Sequence, residues 1–150
     1  MENAITKLLD ALIPSLEKLV SDMRTWLGIA MIIGPTIFIA MGLIYYFLAP
    51  PEANHKLGYR TYFGMGSVNA WKFTQKLAGI VWGGLGIVLA VVAIIGCVVM
   101  VGQELPKATT TALTILIIEA VAAVIAFLTV EITVILRFDM NGTARKKKKK

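Results

Sequence analysis

Three long apolar stretches decide what this chain can fold into. Residues 27–48 run for 22 positions without a charged side chain, and residues 77–102 run for 26. Residues 108–136 form a third stretch, interrupted by Glu119 and Glu131. A bilayer core about 30 Å thick needs about 20 consecutive apolar residues per helix, so each stretch is long enough to cross it. The second, at 1.5 Å per residue, would extend about 39 Å and must tilt or protrude. Composition agrees: 57% of the chain is hydrophobic and 16% charged, against about 25% charged in soluble domains.

The expected fold is an all-α membrane protein with three transmembrane helices and an N-terminal amphipathic helix. Residues 1–25 are assigned to that helix. Ile5, Leu8, Leu9, Leu12, Ile13, Leu16, Leu19, Val20 and Met23 recur at spacings of three and four. At about 100° per residue they fall within roughly 140° of the helix surface. Lys7, Asp10, Glu17, Lys18, Asp22 and Arg24 take the other side, with Pro14 among them. The segment lacks the basic start and unbroken apolar core of a signal peptide. It is expected to lie in the membrane interface or cover other helices.

Residues 26–137 make the transmembrane domain, with spans 27–48, 77–102 and 108–136. Gly34-Pro35 falls inside the first span, where proline removes a backbone hydrogen bond and favours a kink. Trp26 and the run Tyr45, Tyr46 and Phe47 mark its two interfaces. Pro50-Pro51 ends the first helix and opens the 49–76 loop. Gly79 and Gly83, near the start of the second span, form a small-xxx-small pair that permits close helix approach. Residues 103–107 make a tight turn, so spans two and three form an antiparallel hairpin.

Three spans place the termini on opposite sides. The 49–76 loop, Arg137 and the 138–150 tail carry eleven of the fifteen Lys and Arg, while Lys7, Lys18, Arg24 and Lys107 lie opposite. The positive-inside rule puts loop and tail in the cytoplasm and the N-terminus outside, in the cell (inner) membrane. Without the 146–150 lysine run the count is six against four. The formal charge of +6 is thereby explained by topology and contact with membrane lipids, and no nucleic-acid-binding module is visible. On that sidedness Asn141-Gly142-Thr143 is a chance glycosylation match.

Little here suggests bond-making chemistry. Cys97 is the sole cysteine and His55 the sole histidine, so these two types cannot supply a standard zinc site or a thiol–imidazole pair on a span. Cys97 reads as a small packing residue. Glu119 lies near the middle of the third span, where an ionised carboxylate costs about 2.5–3.5 kcal/mol. Two readings are open: an ion, proton or ligand contact, or a protonated or hydrogen-bonded carboxyl that locks packing. Glu131 is nearer the inner interface, within reach of Arg137. The two lie twelve residues apart, about 120° around the helix, which argues against a paired-carboxylate site. We expect no enzyme activity, catalytic residue, metal or cofactor.

The loop holds the densest set of candidate residues. Gly58-Tyr59-Arg60-Thr61 places a flexible residue, an amphipathic ring and a permanent cation at the membrane edge. Trp71-Lys72-Phe73 supplies an aromatic and basic anchor. Gly58-Tyr59-Arg60-Thr61, followed by Trp71-Lys72-Phe73 and Gly79, resembles the signature of SdpI-type bacterial membrane proteins, named for an immunity protein against a sporulation-delaying toxin. The resemblance covers about residues 46–92, with Met65 matching a common Met in the linker. Residues 62–70 lack the charged residues common there, and Gln75 stands where the family often has Asn. The resemblance implies protection against, or sensing of, a membrane-active peptide toxin, with a peptide toxin or regulator protein as partner. It makes Gly58, Tyr59, Arg60, Thr61 and Trp71 the functional loop. Two other readings are an accessory structural subunit of a larger membrane complex and a small homo-oligomeric transporter or channel using Glu119.

If hydrocarbon is the solvent of these spans, the purified chain will require detergent or lipid to stay monodisperse. Size-exclusion chromatography in plain buffer checks this.

Overall fold

The computed structural model describes residues 2–53 and 56–145, with side chains from Leu12 onward. The 146–150 lysine run, His55 and the side chains of Ile5, Lys7, Leu8, Leu9 and Asp10 lie outside the described residues. Helix α1 spans Glu2–Leu43 and continues into a π-helical turn, Ile44–Leu48. Helix α2 spans Val68–Met100 and α3 spans Leu105–Arg137. All three are long and apolar enough to cross a membrane. Their outward faces carry rows of Ile, Val and Leu, such as Ile87, Val91, Ile94 and Val98 on α2 and Ile117, Val121, Val124 and Leu128 on α3. Such faces are stable only against hydrocarbon.

The N-terminal segment differs from the expectation. No separate amphipathic helix precedes the first span, because α1 passes through residues 24–27 without interruption. Nothing between Ser15 and Gly34 breaks a helix: no proline occurs there and a single glycine, Gly28, does. Both Pro14 and Pro35 are carried inside α1. The helix leaves its neighbours near Arg24, whose guanidinium donates to the Gln103 carbonyl in the α2–α3 turn. Residues 2–23 therefore overhang the bundle by about 33 Å. Leu12, Ile13, Leu16, Leu19 and Met23 remain exposed on that overhang.

The loop is also shorter than expected. Residues 68–76, read from the sequence as loop, are the opening turns of α2. Ser67 starts the helix as its N-cap, accepting from the Ala70 N–H at 3.1 Å. The connection is thus residues 49–67. At its other end Ala49 is extended, as the residue before a proline tends to be.

Helices α1 and α2 approach through glycine. A Cβ on Gly42 would collide with the backbone of Gly83, and one on Gly79 would lie 2.7 Å from the Cβ of Tyr46. A Cβ on Gly86 would lie 2.6 Å from the Ile39 nitrogen and 2.9 Å from the Pro35 carbonyl. Gly79 and Gly83 serve close approach as their spacing suggests, and Gly42 and Gly86 extend the seam.

Two buried clusters flank the mid-membrane. One, toward the 49–67 loop, unites Tyr59, Ala78, Trp82, Val130, Val134 and Phe138. The other, toward the α2–α3 turn, unites Met31, Ala93, Met100, Ala108, Ala112 and Ile115.

Gly42→Ala should separate α1 from α2 and cost about 1–3 kcal/mol, an overpacking penalty. Gly84→Ala, whose Cβ would meet nothing within 4 Å, should change stability by less than about 0.5 kcal/mol. Unfolding midpoints of the two variants in detergent compare them directly.

Candidate functional site

The loop that follows α1 folds back onto the bundle end instead of standing clear of it. Gly58 takes φ +120°, a backbone region that L side chains rarely adopt. A Cβ there would also lie 2.6 Å from the Trp71 ring. Glycine is therefore needed twice, for its conformation and for its lack of bulk. The Trp71 ring is fully buried, and its Nε1–H donates to the Pro50 carbonyl at 2.8 Å. One side chain thus ties the loop's first residues to α2.

Gln75, one turn beyond Trp71, supplies the second tie. Its Oε1 accepts from the Tyr59 backbone N–H at 2.7 Å, and its Nε2 donates to the Tyr59 carbonyl at 2.7 Å. A primary amide matches a peptide unit in donor and acceptor, so Gln75 pairs with Tyr59 as a neighbouring strand would. This accounts for an amide four residues after the Trp. Gln75 departs from Asn in length but keeps the chemistry.

With its backbone held, Tyr59 sends its ring into the bundle. It packs edge-on against Tyr45, with centroids 5.5 Å apart, and lies 6.5 Å from the ring of Phe127. Its buried hydroxyl approaches Glu131 without meeting hydrogen-bond geometry. Burial above all, then the Glu131 carboxyl and the Tyr45 phenol, pushes the Tyr59 hydroxyl well above the ordinary tyrosine range. Thr61, also buried, closes the next turn: its Oγ1 accepts from Gly64 N–H at 2.7 Å and its carbonyl from Met65 N–H at 3.1 Å. Arg60, between these two buried residues, is exposed at the rim and acts electrostatically on Tyr45.

A third partner is absent from the sequence reading. Residues 138–145 form a small hairpin, with a bridge between Phe138 and Ala144. The Asp139 carboxylate holds the turn by accepting from Asn141 N–H and Thr143 N–H at 3.0 and 2.7 Å. Ser67 donates its hydroxyl to the Gly142 carbonyl at 2.7 Å, docking the hairpin onto the start of α2. Residues 138–145, assigned from the sequence to a basic tail, are thus part of the bundle end. The signal was present: Asn141-Gly142 is a strong turn dipeptide, here read only as part of a glycosylation pattern.

Gly58, Tyr59, Thr61 and Trp71 therefore form one cap, with Arg60 at its edge, Glu131 beneath Tyr59 and Gly79 just below against Tyr46. Glu119 belongs elsewhere. It is 5% exposed, its Oε2 points at Gly34 of α1, and its Oε1 has no hydrogen-bond partner among the described residues. A Cβ on Gly34 would fall 2.6 Å from Oε2. Glycine at 34 makes room for the carboxyl. No group of three His, Cys, Asp or Glu side chains that could hold a metal comes together among the described residues.

Gln75→Leu should strand both backbone groups of Tyr59 and cost about 2–4 kcal/mol by thermal unfolding in detergent. Stability should also fall as pH rises above 10, because the Tyr59 phenol ionises in the unfolded chain before it does in the folded one. Tyr59→Phe should remove its share of that alkaline dependence.

The curated proteins and the solved structures contain no match to this chain. A family described as the SdpI/YfhL protein family matches residues 51–131, which takes in the cap, all of α2 and α3 as far as Glu131. With more than half of its length matched and the signature residues assembled at one end of a three-helix bundle, this chain belongs to the SdpI/YfhL family.

Proposed function

We propose that this multi-pass membrane protein protects against, or senses, a membrane-active peptide toxin, and that the cap is where it engages the toxin or a regulator. The observation that carries this reading is the construction of the cap. Gly58, Trp71 and Gln75 hold the backbone before Arg60 and the Thr61 turn holds it after, so the exposed Arg60 projects from a fixed backbone at the rim. A cation on a rigid backbone suits recognition better than one on a mobile loop, because less ordering entropy is lost on contact. The charge distribution favours a cytoplasmic cap and an outside N-terminus. We assign no catalytic step to the protein.

A second reading, accessory subunit of a larger membrane complex, draws on the α1 overhang. The exposed stripe from Leu12 to Met23 has no cover among the described residues. Stoichiometric foreign subunits after purification in gentle detergent would favour it.

In a sensitive bacterium, Arg60→Ala should reduce survival of toxin exposure to the level of cells lacking the protein, with unchanged membrane insertion. Undiminished survival would reject the cap as the site of action. Glu119→Gln should leave protection intact. Ion flux into proteoliposomes that this variant abolishes would instead support the third reading, an oligomeric carrier built on Glu119.

A further inference from the structure

Two arginines line one cleft where α3 leaves its apolar stretch. The cleft, about 510 Å³, is lined by Thr133, Leu136, Arg137, Ala144 and Arg145. The hairpin brings the two arginines together: Arg145 N–H donates to the Arg137 carbonyl at 2.9 Å, and Arg145 Nε donates to the Phe138 carbonyl at 3.1 Å. The Arg137 guanidinium lies 4.2 Å from the centre of the Phe73 ring. Among the described residues neither guanidinium has a carboxylate partner. The acid nearest in the chain, Asp139, spends its Oδ1 on the N–H groups of Asn141 and Thr143.

We infer that this cleft binds the phosphate of an anionic glycerophospholipid. Two arginines that line one cleft, without a carboxylate partner among the described residues, favour an anion there, and a guanidinium presents paired donors that match phosphate oxygens. The surroundings select a lipid over a free anion. Leu136 lines the cleft and is 69% exposed, and Ile132, one turn earlier, is 53% exposed, so acyl chains have an apolar path along α3. The Thr133 hydroxyl donates to the Thr129 carbonyl at 2.6 Å, so its remaining lone pairs can accept from a headgroup hydroxyl. The site involves neither Arg60 nor the toxin reading. It differs from diffuse attraction by the lysine run, because it is a place with fixed backbone partners.

Native mass spectrometry of the full chain in neutral detergent, with phosphatidylglycerol, phosphatidylcholine or inorganic phosphate added, tests this. One phosphatidylglycerol should be retained in preference to phosphatidylcholine. Arg137→Gln with Arg145→Gln should weaken its retention by on the order of tenfold. Replacing the five lysines at 146–150 with Gln should leave retention within about twofold of the original, since the site does not use them. Equal retention of both lipids, or loss in the lysine variant with none in the arginine variant, overturns the site. Displacement of the lipid by equimolar inorganic phosphate overturns the lipid as its ligand. Should circular dichroism show the double variant unfolded, Arg145→Gln alone decides: unchanged preference for phosphatidylglycerol rejects the proposal.

Discussion

Hydrocarbon offers no hydrogen bonds, so each peptide group carried to membrane depth must find its partner within the protein. For α1, α2 and α3 the helix satisfies this internally. The difficulty falls on residues 49–53 and 56–67, which lie outside any helix and yet return to the bundle end, where Tyr59 and Thr61 are buried. The answer is a set of side chains on α2 that substitute for a strand. Gln75 pairs with the backbone of Tyr59, Trp71 with the carbonyl of Pro50, and Ser67 with the first turn of its own helix and with the hairpin. Once these ties are made, Tyr59 is positioned by its backbone and its ring closes the bundle between Tyr45 and Phe127.

The same economy governs helix packing. Apolar side chains gain little by leaving lipid for a protein interior, so association depends on close contact. Glycine provides it along α1 and α2, from Gly42 against Gly83 to Gly86 against Pro35 and Ile39. Gly34 has a different use, leaving space for a buried carboxyl. Glu119 lies between the two clusters, where it interrupts an otherwise apolar interior. Glu131 lies twelve residues later, about 18 Å along the axis. The two carboxyls therefore meet different neighbours, one the glycine of α1 and the other the phenol of the loop.

Several site residues were legible because their chemistry is local. Gly58 and Trp71 are conspicuous beside an apolar run, and Gly79 with Gly83 carries a spacing that has one common use. Gln75 was visible as well, though as a departure from a pattern. Its role emerged only when its amide was found opposite the peptide of Tyr59, sixteen residues away. The start of α2 was misplaced because the apolar run begins at Leu77, whereas the helix begins at Ser67. Hydropathy marks where lipid begins; capping marks where a helix begins, and here the two differ by about ten residues. The hairpin at 138–145 is hidden for a similar reason, since the charge of the tail dominates its composition and its turn residues, Asn141 and Gly142, are few.

From its own letters the chain determines its solvent, the number of its spans and the neighbourhood of its signature residues. Length without charge and charge beside length are sufficient for that. What only the folded molecule decided is which distant groups meet: Gln75 with Tyr59, Ser67 with Gly142, Glu119 with Gly34, and Arg137 with Arg145 across one cleft. Apolar periodicity states that a face will be covered, not by what. The partner follows from how closely three helices can approach, and that is set by the places where side chains are absent.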